Sequence, residues 1–480
     1  MKTSGKSNPP EKETPEMETG MSRKFLMHGW LALLFAAVSL PALAQSAGLQ
    51  AQPENSLALR QAIDTALGKN PSAALAHAQQ NAAQAGVDAA RTAWLPQLGL
   101  TEDISRGNDP VYAFGTRLRQ QRFTQQDFAL NALNKPSPIG NFATRLNGQW
   151  MLFDWLGREK RIRSAKDVAA SAASMSDDAN QQIVLRVVEA YQSVLYAQRR
   201  LDVARHEQST AEALLHDAQV RVKAGLAVES DLLAAQVNLS ERQQQTIAAE
   251  GDVDTAWAGL EAAMGISATP RPRLAPIPPR VYPATGLTQD IDQALKTRPD
   301  LKALRQQNAA QREQVSAARR DFLPQIDAYG NWETDRDTFA GNGGNNWVAG
   351  VQLKLDILPL GKRARLLAEK AKQQQAEAQQ QAGEQAIRLA VEQAWTAHRT
   401  AGLQVKTAQA AMAQAAESLR ILRNRYHAGL ATMTDLLRAE DAQRRSQNDY
   451  WRAVYGNTVT YTQLMYATGN LTPAAAEALQ

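Results

Sequence analysis

The chain has 480 residues, 21% charged and 44% hydrophobic, with no cysteine and a formal net charge of +5. That balance excludes a disordered chain and a bundle of membrane helices. The lack of cysteine excludes disulfides, a thiolate nucleophile, Cys-ligated zinc and an N-terminal lipid on cysteine, and no run of Lys and Arg interleaved with aromatics supports nucleic-acid binding.

Residues 1–44 read as a secretory signal. The apolar run Trp30 to Leu40 follows Arg23, Lys24 and His28, and precedes Pro41-Ala42-Leu43-Ala44-Gln45. A basic flank, a short apolar core and an Ala-x-Ala end predict cleavage after Ala44. The run falls short of the roughly 18–20 apolar residues that a spanning helix needs. Residues 1–20 are polar, and Met21 is an alternative start.

The remaining chain holds one unit twice, at 45–269 and 286–470, followed by a tail, 471–480. Ile63-Asp64-Thr65-Ala66-Leu67 and Asn70-Pro71 recur as Ile291-Asp292-Gln293-Ala294-Leu295 and Arg298-Pro299. Ala90-Arg91 and Leu95-Pro96-Gln97 recur at the same offset as Ala318-Arg319 and Leu323-Pro324-Gln325. Ala224-Gly225-Leu226-Ala227 and Asp231-Leu232-Leu233 recur, at a shorter offset, as Ala428-Gly429-Leu430-Ala431 and Asp435-Leu436-Leu437. Both ends of the unit match, so the first copy carries extra residues in its middle. The copies meet at a linker, 270–285, with Pro270, Pro272, Pro276, Pro278, Pro279 and Pro283. Such a run ends helices and favours extended chain.

Each unit opens with a helix, interrupted at Asn70-Pro71 or Arg298-Pro299 and stopped by Pro96 or Pro324. Two strands follow. Phe142, Leu146, Trp150 and Leu152 share one parity, with Arg145, Asn147 and Gln149 on the other. Trp347, Ala349, Val351, Leu353 and Leu355 likewise alternate with Gln352 and Lys354. Period two with one apolar face is the pattern of a transmembrane β-strand. Residues 107–140 form a long loop in copy one, and 335–345 a short Gly/Asn-rich loop in copy two. Tight links follow, Phe153-Asp154-Trp155-Leu156-Gly157 and Asp356-Ile357-Leu358-Pro359-Leu360-Gly361. Arg158, Lys160, Arg161, Arg163, Lys362, Arg363 and Arg365 come next. They suit either a solvated helix start or contact with lipid phosphates. A proline-free helix of about 100 Å then runs to a glycine turn and returns. Each copy thus holds a long antiparallel hairpin.

Strands in lipid cannot keep open edges, and the smallest barrel has about eight strands. Four strands per chain therefore require several chains. The Leu95-Pro96-Gln97 and Leu323-Pro324-Gln325 strand starts, the Phe153-Asp154-Trp155-Leu156-Gly157 link and the Arg425-Tyr426-x-Ala428-Gly429-Leu430 turn resemble the TolC family of outer-membrane factors. The resemblance covers residues 55–470. It implies a mixed membrane fold: two tandem repeats whose α-helical hairpins form a periplasmic tunnel, and four strands per chain completing a twelve-stranded barrel in a homotrimer. It also implies an exit duct in the bacterial outer membrane, served by a periplasmic adaptor and an inner-membrane transporter.

The resemblance further places the turns Gly225-Leu226 and Gly429-Leu430 at the tunnel entrance, as adaptor-docking sites. Asp231 and Asp435 suit first-turn carboxylates, favoured by the helix dipole, or members of an entrance gate. Family members carry a second acid where this chain has Arg438, one turn from Asp435. The matching positions also imply a hydrogen bond from Tyr426 to Asp231 across the entrance.

No catalytic, cofactor or metal site is expected. The six histidines form no HExxH, and neither Gly-x-Ser-x-Gly nor a Walker sequence occurs. The alternative is a periplasmic adaptor, which would carry one hairpin between lipoyl-like β halves.

Overall fold

The computed structural model describes residues 56–267, 271–278, 280–283 and 286–479. The signal-peptide reading lies outside them. In chain order come β1 (Ser56–Leu57), α1 (Leu59–Lys69), α2 (Pro71–Arg91), β2 (Gln97–Gly107), α3 (Pro110–Arg119), α4 (Leu130–Asn134) and β3 (Ile139–Phe153). Then follow α5 (Gly157–Lys223), α6 (Glu229–Met264), β4 (Arg273–Leu274), α7 (Leu287–Thr297) and α8 (Pro299–Arg320). The chain ends with β5 (Gln325–Arg336), β6 (Gly343–Lys354), α9 (Leu360–His427), α10 (Met433–Ala467) and α11 (Pro473–Glu477).

The four long strands form one antiparallel sheet in the order β2-β3-β5-β6. Its faces differ in chemistry. Leu100, Leu146, Trp332 and Trp347 stand in register across all four strands. They point outward with no covering layer, and Trp347 is 78% exposed. One residue along, Thr101, Arg145, Glu333 and Asn346 form the next row, on the other face. There Arg145 Nε donates to Glu333 Oε1 at 2.9 Å and pairs with Asp103. Period two thus sorts apolar from polar side chains over most of the sheet, and on the apolar side Arg336 Nη2 pairs with Glu102 at 3.1 Å.

Helices α5 and α9, of 67 and 68 residues, each fold back on a return helix, α6 or α10. At about 1.5 Å per residue each long helix spans about 100 Å. Helices α2 and α8 pack along α5, and α8 also reaches α9. The repeats share a joint where each return helix ends. Asn70 Nδ2 donates to the Ala263 carbonyl at 2.8 Å, and Arg298 Nη1 to the Ala467 carbonyl at 3.3 Å. These bonds occupy end-of-helix carbonyls that would otherwise lack partners. The adjoining Gly265 and Gly469 have φ of +70° and +73°. A Cβ on them would come within 2.7 Å of Asn70 Cα or 2.9 Å of Arg298 N. The Asn-Pro and Arg-Pro interruptions are therefore docking points for the returning chain.

The largest core lies among α1, α5, α6 and α11, around Leu59, Ile63, Val187, Tyr191, Trp257, Leu260 and Leu471. The proline-rich linker is tied into it. Strand β4 pairs parallel with β1, and Tyr191 Oη bonds the Leu57 and Ala275 carbonyls at 2.9 and 2.7 Å. Further on, Tyr282 stacks on Tyr461 at 4.3 Å, and its carbonyl lies 3.0 Å from His398 Nε2.

Two expectations change. The 107–140 segment is an ordered cap, with α3, a 3₁₀ turn at Gln125–Phe128 and α4. The basic residues after the links are mostly engaged within the chain. Arg158 is 3% exposed, lies 4.0 Å over the Trp94 ring, pairs with Asp154 at 3.4 Å and donates to the Ala93, Met151 and Leu152 carbonyls. Lys160 pairs with Glu313 and Arg161 with Asp321. Lys362 pairs with Asp356 at 2.7 Å and donates to the Asp321 carbonyl. A charge buried this way is held by carbonyls and carboxylates, not by lipid phosphate.

Candidate functional site: two hairpin tips and a two-faced sheet

Both tips close in the same way. Leu226 N–H donates to the Arg221 carbonyl and Leu430 N–H to the Arg425 carbonyl, each at 2.8 Å. Bonds of shorter span along the chain, Gly225 N–H to Val222 O and Gly429 N–H to Tyr426 O, complete the pattern at 3.0 Å. This double closure needs a left-handed residue. Gly225 and Gly429 supply it, with φ of +71° and +73°. The leucine after each glycine is left bare, Leu226 at 76% and Leu430 at 68% exposure.

Arg221 joins the two tips, a role not anticipated from the sequence. Its Nη2 donates to the His427 carbonyl at 3.1 Å, and its guanidinium lies 5.0 Å from the Tyr426 ring centroid. Repetition was the available signal, because Arg221 and Arg425 stand four residues before the two turn glycines. Tyr426 is buried in a cluster with Leu214, Ala218, Ala235, Leu419, Met433 and Leu436. Burial pushes its phenol up, and the charge of Asp231 adds to the shift. The expected bond to Asp231 is not made, since the Tyr426 hydroxyl has no hydrogen-bond partner.

Asp231 lies in the first turn of α6 and Asp435 in that of α10. Asp435 completes a capping box. Thr432 Oγ1 donates to Asp435 Oδ2 at 2.7 Å, and Asp435 N–H donates to Thr432 Oγ1 at 3.1 Å. The Thr432 hydroxyl, then its amide, then the charges of Arg438 and Arg425 hold this carboxyl below the usual range. Arg438 is exposed and acts on Asp435 through space, without an ion pair.

Farther from the tips, Arg423 Nη2 of α9 lies 3.4 Å from Glu440 of α10 within hairpin two, and Arg242 Nη2 of α6 lies 3.8 Å from Asp441 of α10, which joins the two hairpins. Desolvation pushes the Glu207 and Glu440 carboxyls up.

Among the described residues no group of His, Cys, Asp and Glu could hold a metal, and no helix is long and apolar enough to cross a membrane. The bare apolar band is on the sheet instead. The family model described as Outer membrane efflux protein matches residues 62–266 and 291–470, once on each repeat. This chain belongs to the outer membrane efflux protein family.

An outer membrane efflux protein is an exit channel for efflux and secretion systems. The chain accordingly resides in the outer membrane, with its long helical hairpins in the periplasm. The family's members are channels rather than enzymes. Among the relatives, protein CyaE of Bordetella pertussis is 27% identical over 413 residues, covering 85% of this chain and 82% of its own. The alkaline protease secretion protein AprF of Pseudomonas aeruginosa is 24% identical, covering 70% and 71%. The fold matches CusC with a TM-score of 0.73 at 18% identity, covering 86% and 92%. It also matches the Campylobacter jejuni CmeC channel at 0.72 and 17%, covering 91% and 94%. Two hairpins and four strands in this family set the adaptor alternative aside.

Proposed function

We propose that three copies of this chain close one barrel and one tunnel, and that cargo enters at the hairpin tips and leaves outside the cell. The observation that carries this is the sheet. It has an apolar face with nothing over it, and β2 and β6 are edges. Edge N–H and C=O groups in hydrocarbon each cost several kcal/mol, roughly, unless paired. A neighbour's opposite edge supplies the pairing. Two copies would give about eight strands and a side-chain-filled interior, whereas three give about twelve and a bore.

The helices support the same assembly. Helix α10 packs on hairpin one through Gln463–Glu189, Tyr466–Asp178 and Arg242–Asp441. The corresponding groove between α9 and α10, lined by Ala401, Ala408, Ala411 and Ala442, is open. A second copy's α6, with Leu233, Val237 and Ile247 exposed, is a complementary occupant.

Gly225-Leu226 and Gly429-Leu430 serve as docking points for a periplasmic adaptor, which links the duct to an inner-membrane transporter. Bare leucines on rigid turns suit an apolar contact there. Asp231 and Asp435, repeated in three chains, form an acidic entrance ring tempered by Arg438. Outer-membrane lipid covers the apolar band, and the duct itself performs no chemistry. Relatives are named for protease secretion, fusaric acid resistance and multidrug resistance, so cargo is chosen by the transporter.

Detergent extraction of outer membranes, followed by native mass and planar-bilayer recording, tests this. A trimer that conducts ions is expected, and Arg438→Ala should deepen block by divalent cations. A monomer released with the soluble periplasm would end the proposal.

A further inference from the structure

The cap over residues 107–140 sits on one face of the sheet. Helix α3 lies across the polar face of the sheet, at the end away from the long helices. Tyr112 Oη bonds Ser105 Oγ on β2 at 2.8 Å. Gln120, just past the helix, is buried. Its Nε2 donates to the Gly140 carbonyl at 2.9 Å, to Asn141 Oδ1 at 3.0 Å and to the Arg336 carbonyl at 3.2 Å. Arg119 pairs with Glu333 at 3.7 Å, and a Cβ on Gly344 of β6 would collide with the Arg119 carbonyl. The contacts thus run from one edge strand to the other. Ten residues give a helix of about 15 Å, close to the roughly 14 Å spanned by four strands.

The helix is two-sided. Ala113, Thr116 and Gln120 are buried on the sheet side. Val111 and Leu118, two turns apart on the opposite side, are 81% and 49% exposed. Beneath α3, Ala143 and Asp335 are sealed, and Asn141 Nδ2 donates to Asp335 Oδ1 at 2.6 Å. The polar face becomes the bore once the apolar face meets lipid. Helix α3 therefore lies inside the outer mouth.

We propose that α3 is the size-selecting element of that mouth: three copies narrow the bore, and Val111 and Leu118 face its axis as an apolar collar. This rests on the three-chain barrel reading. A helix with side chains is about 10–12 Å across, so three of them remove much of the opening. An apolar collar also resists water and ions when narrow. Solutes from outside are excluded by bulk, while outgoing cargo must be slender or must lift α3 from the sheet. Copy two has only a short turn between its strands, so the device belongs to copy one.

The chain has no cysteine, so Asn147→Cys, deeper on the polar face, provides a single thiol. Intact cells are treated from outside with a small maleimide and with a long polyethylene-glycol maleimide. In the otherwise unchanged chain the small reagent should label and the long one should not. Replacing residues 109–137 by a short Gly/Asn turn should restore labelling by the long reagent. So should the milder pair Arg119→Ala with Gln120→Ala, which keeps the chain length if the deletion fails to assemble. Labelling by the long reagent before any change overturns the proposal, as does continued exclusion in either assembled variant. Loss of the oligomer in the unmodified protein would instead contradict the barrel reading itself.

Discussion

Arg158 follows the strand link in sequence and suggested a lipid contact there, yet its charge is used inside the protein. With Asp154 it forms a buried pair at 3.4 Å, closed by three carbonyls and the Trp94 face. Removing one member of such a pair costs about 3–5 kcal/mol, because the other charge stays buried. Arg158→Ala should therefore lower the temperature at which the oligomer dissociates in detergent. Arg163→Ala should not, since its pair with Glu159 is largely in water. Equal effects would refute the distinction. Tyr426 offers the opposite case. Its buried hydroxyl lacks a hydrogen bond, so Tyr426→Phe removes an unpaired polar group. Unchanged channel conductance and unchanged or higher thermal stability are expected. A rise in conductance would revive the bond to Asp231.

At the scale of elements, strands and hairpins were legible because each repeats a simple period. Alternation over Leu146 to Leu152 and over Trp347 to Leu355 placed β3 and β6. The recurring Ala-Gly-Leu-Ala turns placed both tips. The capping box at Thr432 to Asp435 is equally local, because the threonine stands three residues before the acid. Helix α3 was not legible, because its Gly115 and short length give weak helix propensity. Contacts with the sheet and the Asp109 cap, which accepts from Tyr112 N–H at 2.9 Å, hold it instead. The tips carry their own prediction. Leu226→Asp with Leu430→Asp should abolish export in cells while oligomers remain intact, because both side chains are bare and support no core. Normal export would remove the docking role.

At the scale of the molecule, repetition explains why one chain is incomplete. Hairpin one buries its inner groove against α10, whereas the matching groove of hairpin two is open. The sheet likewise pairs at β3 and β5 and stops at β2 and β6. Both surfaces call for a neighbour in the same rotational sense, and such contacts form a ring when the rotation closes. The most direct test is a cross-linking ladder. Gly99→Cys on β2 is combined in turn with Val348→Cys, Gly350→Cys or Gln352→Cys on β6, and membranes are oxidised before denaturing electrophoresis. The account predicts, for at least one combination, a ladder that rises to the three-chain product and stops. A ladder continuing beyond three chains, or no cross-link in any combination, would contradict it.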